Sequence, residues 1–272
     1  MTADAIRVSW NWLALREAAD AAARALELVE RLRHRVPAGP WSIHDLACGS
    51  GAMGRWLAPL LPGSQHWVLH DRDADLLALA ALDVPGPAAD GAEVTVETRV
   101  SDVTRLLPAD FAGTTLVTAS ALLDLLTWDE STALIHACAG AGCPVLFALS
   151  VTGHVQLHPA DPLDARVAAA FDAHQRRTTP RGRLLGPDAP AAAVEGFRRL
   201  GAEVVVRPSP WRLGAANRDL AIEWLEGWVD AACEQEPALA ADAELYRRRR
   251  RQEAAAGALA VTVGHADLLV LP

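Results

Sequence analysis

The chain has 272 residues, of which 51% are apolar and 22% are charged, so it can fold around a sizeable core and does not have a disordered composition. Its formal net charge is −9 and all 25 basic residues are arginine, which argues against a nucleic-acid partner and favours small molecules. The sequence has no Cys-x-x-Cys pair and no signal-like opening, so we expect a cytoplasmic protein. No apolar run reaches the roughly 20 residues of a membrane span, so we expect no membrane partner.

The first predicted element is one long helix over residues 12–35, which is rich in Ala, Leu, Glu and Arg and is ended by Pro37. Residues 1–40 are therefore expected to form an N-terminal helical cap. Arg16, Asp20 and Arg24 fall on one face of this helix at a spacing of four residues. This spacing usually means a salt-bridged surface, but Arg16 could also meet a carboxylate of a cofactor or acceptor if the helix closes a pocket.

After residue 40, short apolar runs alternate with helical stretches, as in a parallel sheet with helices on both faces. The first five predicted strands are "WSIHDLAC", "HWVLHD", "EVTVETRVSD", "TTLVTAS" and "PVLFALSV". Two further strands, "AEVVVRPS" and "GALAVTVGHADLLVLP", lie on either side of a predicted helical insertion at residues 215–256. We therefore predict a single α/β domain over residues 41–272, with a lid or acceptor loop at 153–187.

A glycine-rich loop follows the first predicted strand, where residues 45–54 read "DLACGSGAMG". The Gly-x-Gly-x-x-Gly spacing is typical of dinucleotide binding, in which a pyrophosphate lies on the N-terminus of the following helix. Asp45 would repel a pyrophosphate but would attract the ammonium group of an amino-acid-like ligand. S-adenosylmethionine carries such a group.

Two further acids end the next two predicted strands. Asp71 follows Gly51 by 20 residues, where a carboxylate can accept both ribose hydroxyls, and Asp102 can accept from the adenine amino group. The structural alternative for Asp71 is a helix N-cap.

This order of strands, acids and glycines resembles the class I S-adenosylmethionine-dependent methyltransferases, over about the first 150 residues. The resemblance implies a Rossmann-like, seven-stranded, mostly parallel sheet and transfer of a methyl group to a small-molecule acceptor. The residues that it implies for the cofactor, with Arg16 added from its position, are Asp45, Leu46, Ala47, Cys48, Gly49, Gly51, Asp71, Arg72, Asp102, Val103 and Ser120.

The acceptor pocket is expected over the ends of strands four and five. The segment "SALLDLLTWDE" lacks the Asn-Pro-Pro-Tyr signature of family members that act on amino groups of bases or glutamine. Ser120 replaces the aspartate of the metal-dependent catechol-type members, so we expect no metal. Asp124 is more typical of a helix start or pocket rim than of a catalytic residue.

The catalytic candidates are His154, His174 and Arg177, all within the predicted lid. His154 is expected in a loop at the mouth of the pocket, where a histidine could act as a base near neutral pH. The structural alternative for His154 is a loop histidine that is hydrogen-bonded to the backbone. For His174 and Arg177 it is a cation that interacts with the negative end of a helix dipole.

Two rival functions remain open from the sequence. The glycine spacing alone fits an NAD-dependent oxidoreductase, and the cofactor pocket could also belong to a binding protein that transfers no methyl group. The identity of the acceptor, the choice among O-, N- and C-methylation and the oligomeric state are not determined.

Overall fold

A mostly parallel sheet forms the centre of the computed structural model, which describes residues 8–36 and 39–272. The strands are β1 (Trp41–Leu46), β2 (Gln65–Asp71), β3 (Val94–Val100), β4 (Leu116–Ser120), β5 (Val145–His158), β6 (Thr178–Thr179), β7 (Gly182–Arg183), β8 (Glu203–Pro208), β9 (Trp211–Leu213) and β10 (Ala260–Leu271). Seven of them follow the order β3-β2-β1-β4-β5-β10-β8, and only β10 runs antiparallel to its neighbours. The chain therefore has the Rossmann-like fold that the resemblance to class I methyltransferases implies.

Nine α-helices are present within the described residues. They are α1 (Trp10–Ala23), α2 (Leu26–Arg35), α3 (Ala52–Leu57), α4 (Ala74–Leu82), α5 (Trp128–Gly140), α6 (Asp164–Gln175), α7 (Ala189–Arg199), α8 (Arg218–Gln235) and α9 (Ala240–Ala255). Apolar side chains of α5 and α7 pack on one face of the sheet, and those of α2, α3 and α4 pack on the other. Two-sided burial explains why the strands read as continuous apolar runs. No helix in this part of the chain is long and apolar enough to cross a membrane.

The predicted single N-terminal helix is wrong, because the structure has two helices, α1 and α2, that meet at Arg24 and Ala25. The Ala25 backbone N–H donates to Asp267 Oδ2 at 2.8 Å instead of continuing the helical hydrogen bonds. The break is thus made by a residue in the last strand, and neither Gly nor Pro is needed for it. The predicted helix end at Pro37 lies outside the described residues.

The segment after the predicted fifth strand is also corrected. His154 belongs to β5 itself, which continues to His158 and pairs along its length with β10, so this histidine does not lie in a loop. The outer half of β10 also pairs with β9, a strand that the sequence did not predict.

Helices α1, α6, α8 and α9 pack around this outer part of the sheet and form a separate apolar core. Trp224 and Trp228 of α8 stack within it with ring centroids 5.1 Å apart. The helical insertion therefore stands beyond the carboxyl ends of the parallel strands, which is the edge where open α/β sheets bind ligands.

Candidate functional site

The strand order reverses between β1 and β4, which are neighbours in the sheet although β2 and β3 separate them in sequence. Ligands of open α/β sheets bind at such a switch point, beyond the carboxyl ends of the strands. Three non-glycine residues have left-handed backbone conformations, Ala47, Ala121 and Leu149, with φ angles of 52°, 52° and 55°. Ala47 follows β1, Ala121 follows β4, and Leu149 follows the part of β5 that pairs with β4. Backbone strain, which often accompanies functional sites, is therefore concentrated at this edge of the sheet.

Asp45 is the last but one residue of β1 and is fully buried. Its Oδ1 accepts a 2.7 Å hydrogen bond from Thr118 Oγ1 of β4, whereas Oδ2 is buried without a partner. Burial raises the pKa of Asp45 to about 7. A buried carboxylate oxygen with an unused lone pair is ready to accept from a ligand, and a cation is the ligand that best offsets its desolvation.

The glycine loop is closed by its own hydrogen bonds. The Cys48 N–H donates to His70 O, the Gly49 N–H to Asp71 Oδ2 and the Gly51 N–H to Cys48 O, each at 2.9 Å. These three N–H groups are therefore not available to a pyrophosphate. Gly49 has a φ of 55°, and a Cβ there would lie 3.2 Å from Leu13 Cδ1, so α1 covers this loop closely.

Asp71 ends β2 and accepts two backbone hydrogen bonds, from Gly49 to Oδ2 and from Asp73 to Oδ1, both at 2.9 Å. The N-cap of α4 is Asp73, whose carboxylate accepts from Asp75 and Leu76. The N-cap alternative for Asp71 is therefore wrong. Each Asp71 carboxylate oxygen thus accepts one backbone hydrogen bond and keeps a lone pair that can accept from a further donor.

The remaining loop residues are placed in different ways. Leu46 is fully buried in the core, so only its backbone is open to a ligand, and Ala47 makes the tight turn after β1. Burial raises the pKa of the Cys48 thiol above its ordinary value, which keeps the thiol neutral. Arg72 is exposed at the surface.

Asp102 lies at the carboxyl end of β3 and is half exposed, with a side-chain accessibility of 51%. Its Oδ1 accepts from the Thr104 N–H at 3.1 Å and from the Thr104 hydroxyl at 2.7 Å. Val103 beside it is buried. The contact of Asp102 with an adenine stays a prediction.

The arginine whose charge acts on Asp45 is Arg24, which the sequence analysis did not select as a site residue. It is 4% exposed, and its Nη2 donates to Ser120 Oγ at 3.2 Å. Its Nε is buried without an acceptor. Burial lowers the pKa of Arg24, while the negative charges of Asp20, Asp267 and Asp45 act to raise it.

Arg16 instead forms an ion pair with Asp20 at 2.9 Å and lies over the Trp211 ring, 4.8 Å from its centroid. Asp20 is only 5% exposed and also accepts from Trp211 Nε1. The face of α1 that was expected to be a salt-bridged surface is therefore buried, and it covers the switch point. The helical spacing was visible in the sequence, but the side on which this face packs was not.

Helix α1 is held over the glycine loop by Glu17. This carboxylate accepts two hydrogen bonds from Arg55 of α3, at 2.7 Å and 2.6 Å. Arg55 also donates to Ser50 O at 2.6 Å. The cap, the loop and α3 are thus joined by one guanidinium, which restricts access of solvent to the ends of β1 and β4.

Of the three catalytic candidates, His174 and Arg177 lie together, whereas no hydrogen bond or ion pair within the described residues joins His154 to either of them. His154 is exposed on β5, and His174 contacts Glu234 of α8 with Nε2 and Oε2 3.0 Å apart. Burial lowers the pKa of His174. Arg177 donates to His174 O at 3.1 Å, which fits the structural alternative of a cation at a helix C-terminus, and its catalytic role stays a prediction. Within the described ranges, no group of three His, Cys, Asp or Glu residues is arranged to hold a metal ion.

A scan of protein-family models finds no match to this sequence, and a search of curated proteins finds none either. Solved structures with a similar fold include a methyltransferase from Geobacter sulfurreducens in complex with S-adenosyl-L-homocysteine, at 15% identity and a TM-score of 0.45, covering 98% of this chain and 100% of that chain. Magnesium protoporphyrin IX methyltransferase from Synechocystis PCC 6803 has 13% identity and a TM-score of 0.45, covering 76% and 84%. A cyclopropane synthase from Mycobacterium tuberculosis has 12% identity and a TM-score of 0.47, covering 91% and 84%.

Proposed function

We propose that the protein is an S-adenosylmethionine-dependent methyltransferase that acts on a small-molecule acceptor. One observation carries this proposal. Two buried atoms of opposite charge, Asp45 Oδ2 and Arg24 Nε, have no hydrogen-bond partner and lie at the same switch point. An amino-acid moiety carries the complementary pair, because its ammonium can donate to Asp45 and its carboxylate can accept from Arg24.

The other parts of the cofactor have fitting residues nearby. Asp71 would accept from the ribose hydroxyls with the lone pairs that its two backbone bonds leave unused. Asp102 and Val103 would contact the adenine. Gly49 allows the left-handed turn of the loop and lets α1 lie close over it, since a Cβ there would be 3.2 Å from Leu13 Cδ1.

When bound, the cofactor would supply an activated methyl group: the acceptor's electron pair forms the new bond to carbon, and the carbon–sulfur pair stays on the sulfur. The chain has to orient the acceptor and exclude water. The cover that Leu13 and the Glu17–Arg55 ion pair form over the loop suits this task. A covered site and an acidic chain both favour a small molecule over a nucleic acid.

The rival oxidoreductase function is weakened by the glycine loop. Its N–H groups at Cys48, Gly49 and Gly51 are used within the protein, and a buried carboxylate stands beside them. A pyrophosphate would need those N–H groups and would be repelled by that charge.

The proposal is tested by calorimetric titration with S-adenosylhomocysteine and with methylthioadenosine, which lacks the amino-acid moiety. We expect Asp45→Asn and Arg24→Gln to weaken binding of S-adenosylhomocysteine at least about tenfold, with much less effect on methylthioadenosine. Asp75→Asn and Arg33→Gln, which alter exposed side chains, serve as matched controls. Equal losses for both ligands in correctly folded variants would contradict this recognition.

Methyl transfer itself is tested with methyl-labelled S-adenosylmethionine and the low-molecular-weight fraction of a cell extract. A labelled small product is expected. If the protein binds the cofactor and no label leaves it, the alternative of a non-methylating binding protein is supported instead.

A further inference from the structure

A second polar cluster lies under α1 and has no part in the proposed cofactor contacts. Its members are Asp124, which follows β4, Arg177, which follows α6, and His265 in β10. Arg16 of α1 links them, because its charge acts on both Asp124 and His265. Two members of the cluster thus lie within reach of the charge that α1 carries at Arg16.

Asp124 is the acid of the cluster and lies in a 3-10 turn, Leu123–Leu125. Its Oδ1 is buried without a hydrogen-bond partner. Burial raises the pKa of Asp124 to about 6, although the positive charges of Arg16 and Arg177 act in the opposite direction. One oxygen of this carboxyl group is therefore an acceptor without a donor, and the charges of two arginines act on the group.

Arg177 is the cation of the cluster that lacks a carboxylate partner among the described residues. Its Nη1 donates to His174 O at 3.1 Å and lies 3.5 Å from His174 Nδ1. The neighbouring arginines differ, since Arg176 pairs with Asp188 at 2.7 Å and Arg181 pairs with Glu130 at 2.7 Å. Arg177 therefore keeps donors for an anionic group of a ligand.

The chain holds Arg177 close to the Asp124 turn through backbone bonds. The Leu184 N–H donates to Arg177 O at 3.1 Å, and the Leu185 N–H donates to Leu126 O at 2.8 Å. The hairpin of β6 and β7 is thereby fastened along the segment that carries Asp124.

His265 forms the far wall of the cluster. It is 5% exposed, and its Nδ1 is buried without a partner. The pairing of β10 with β5 shifts on both sides of His265, so the strand is irregular where this side chain emerges. Its ring lies 5.3 Å from the Trp211 ring, over which the Arg16 guanidinium also lies. A buried histidine with one unpartnered nitrogen thus lies beside an indole, so this side of the cluster offers both a polar atom and an apolar ring.

From this arrangement we propose that the cluster is the acceptor site and that the acceptor is a small hydroxy acid. Arg177 binds its anionic group, and Asp124 accepts the hydrogen bond of its hydroxyl and takes the proton when the oxygen gains the methyl group. The inference rests on the proposed methyltransferase function. It differs from the sequence-based candidates by replacing His154 and His174 with Asp124 and by giving Arg177 a binding role.

The test uses protein saturated with S-adenosylhomocysteine, so that failure of the cofactor to bind would identify a failure of the proposed function rather than of this inference. A panel of aliphatic and aromatic hydroxy acids is titrated, each beside its amide and its deoxy acid. Binding is followed by tryptophan fluorescence. We expect members of the panel to bind as hydroxy acids and to bind roughly tenfold or more weakly as amides.

Arg177→Gln should remove the preference for the acid over the amide, and Asp124→Asn should remove the preference for the hydroxy acid over the deoxy acid. Arg183→Gln, which alters an exposed side chain in the same hairpin, is the matched control and should keep both preferences. Unchanged affinity for S-adenosylhomocysteine in each variant shows that the fold is intact. The inference is overturned if amides bind as well as acids, if Arg177→Gln keeps the preference for acids, or if no acid of the panel binds.

Discussion

Thr118 Oγ1 on β4 donates a 2.7 Å hydrogen bond to Asp45 Oδ1 on β1, across the point where the strand order of the sheet reverses. The bond fixes one carboxylate oxygen and leaves the other buried and unused. The protonation of Asp45 is therefore expected to govern the binding of a cationic group.

Binding of S-adenosylhomocysteine should strengthen as the pH rises toward 7. Burial raises the pKa of Asp45 from 3.8 to about 7, so the free protein holds the neutral acid below that pH and must release a proton to pair with an ammonium. The affinity is expected to fall by up to about tenfold per pH unit below 7, and to level above it. Calorimetry across this range measures the dependence, and Asp45→Asn should abolish it. A wild-type affinity that does not change with pH would exclude this role for Asp45.

The ion pair between Glu17 and Arg55 should control how fast the cofactor leaves. Glu17→Gln removes the charge that holds α1 over the glycine loop, and an ion pair of this exposure contributes about 1 kcal/mol. We expect S-adenosylhomocysteine to dissociate several-fold faster in stopped-flow measurements. Glu27→Gln, which breaks the exposed pair of α2 with Arg207, is the matched control and should leave the rate unchanged. If S-adenosylhomocysteine dissociated at the same rate from Glu17→Gln as from Glu27→Gln, the ion pair of α1 would not control release of the cofactor.

The run of five arginines in α9 should contain one residue on which stability depends. Arg250 is fully buried, and its Nη1 donates to Glu253 Oε2 at 2.7 Å and Pro159 O at 2.6 Å. Removing one partner of a buried ion pair typically costs about 3 kcal/mol or more. Urea denaturation should show such a loss for Arg250→Gln and almost none for the exposed Arg248→Gln. Similar losses in the free energy of unfolding for Arg250→Gln and Arg248→Gln would contradict the stabilising role of Arg250.

Two buried histidines should make the protein sensitive to acid. His44 Nδ1 and His70 Nε2 lie 3.1 Å apart on neighbouring strands, and burial lowers the pKa of each from 6.5 to about 4. Because the folded pKa is below the unfolded one, this stabilisation is complete above pH 6.5 and is lost as the pH falls toward 4. The free energy of unfolding should decrease over this window, by up to about 1.4 kcal/mol per pH unit for each group. His44→Gln should reduce the slope, whereas the exposed His136→Gln should not.

The parts of the fold that depend on local pattern were predictable from the sequence. Apolar runs bounded by turns predicted the seven main strands. The glycine-rich residues predicted a loop between β1 and α3, with Asp45 at the end of the strand before it. The position of Asp71 was also predicted, because an acid that ends the second strand about 20 residues after the glycines lies at the same edge of the sheet as the glycine loop.

The parts that depend on distant contacts were not predictable in this way. The break between α1 and α2 is made by Asp267, 242 residues from Ala25, and no local residue announces it. This break places Arg24 at the end of α1, where it reaches Ser120. Gly153 has a φ of 76° and looks like a turn residue, yet it lies inside β5 because β10 is long enough to pair with the whole strand.

The most direct test of the proposed function is a pair of calorimetric titrations of the wild-type protein, one with S-adenosylhomocysteine and one with NAD. We expect saturable binding of S-adenosylhomocysteine and none of NAD. In Asp71→Ala, which loses the acceptors for the ribose hydroxyls, the affinity should fall by about tenfold or more without unfolding. Binding of NAD with no affinity for S-adenosylhomocysteine would contradict the proposed function and would support the oxidoreductase alternative.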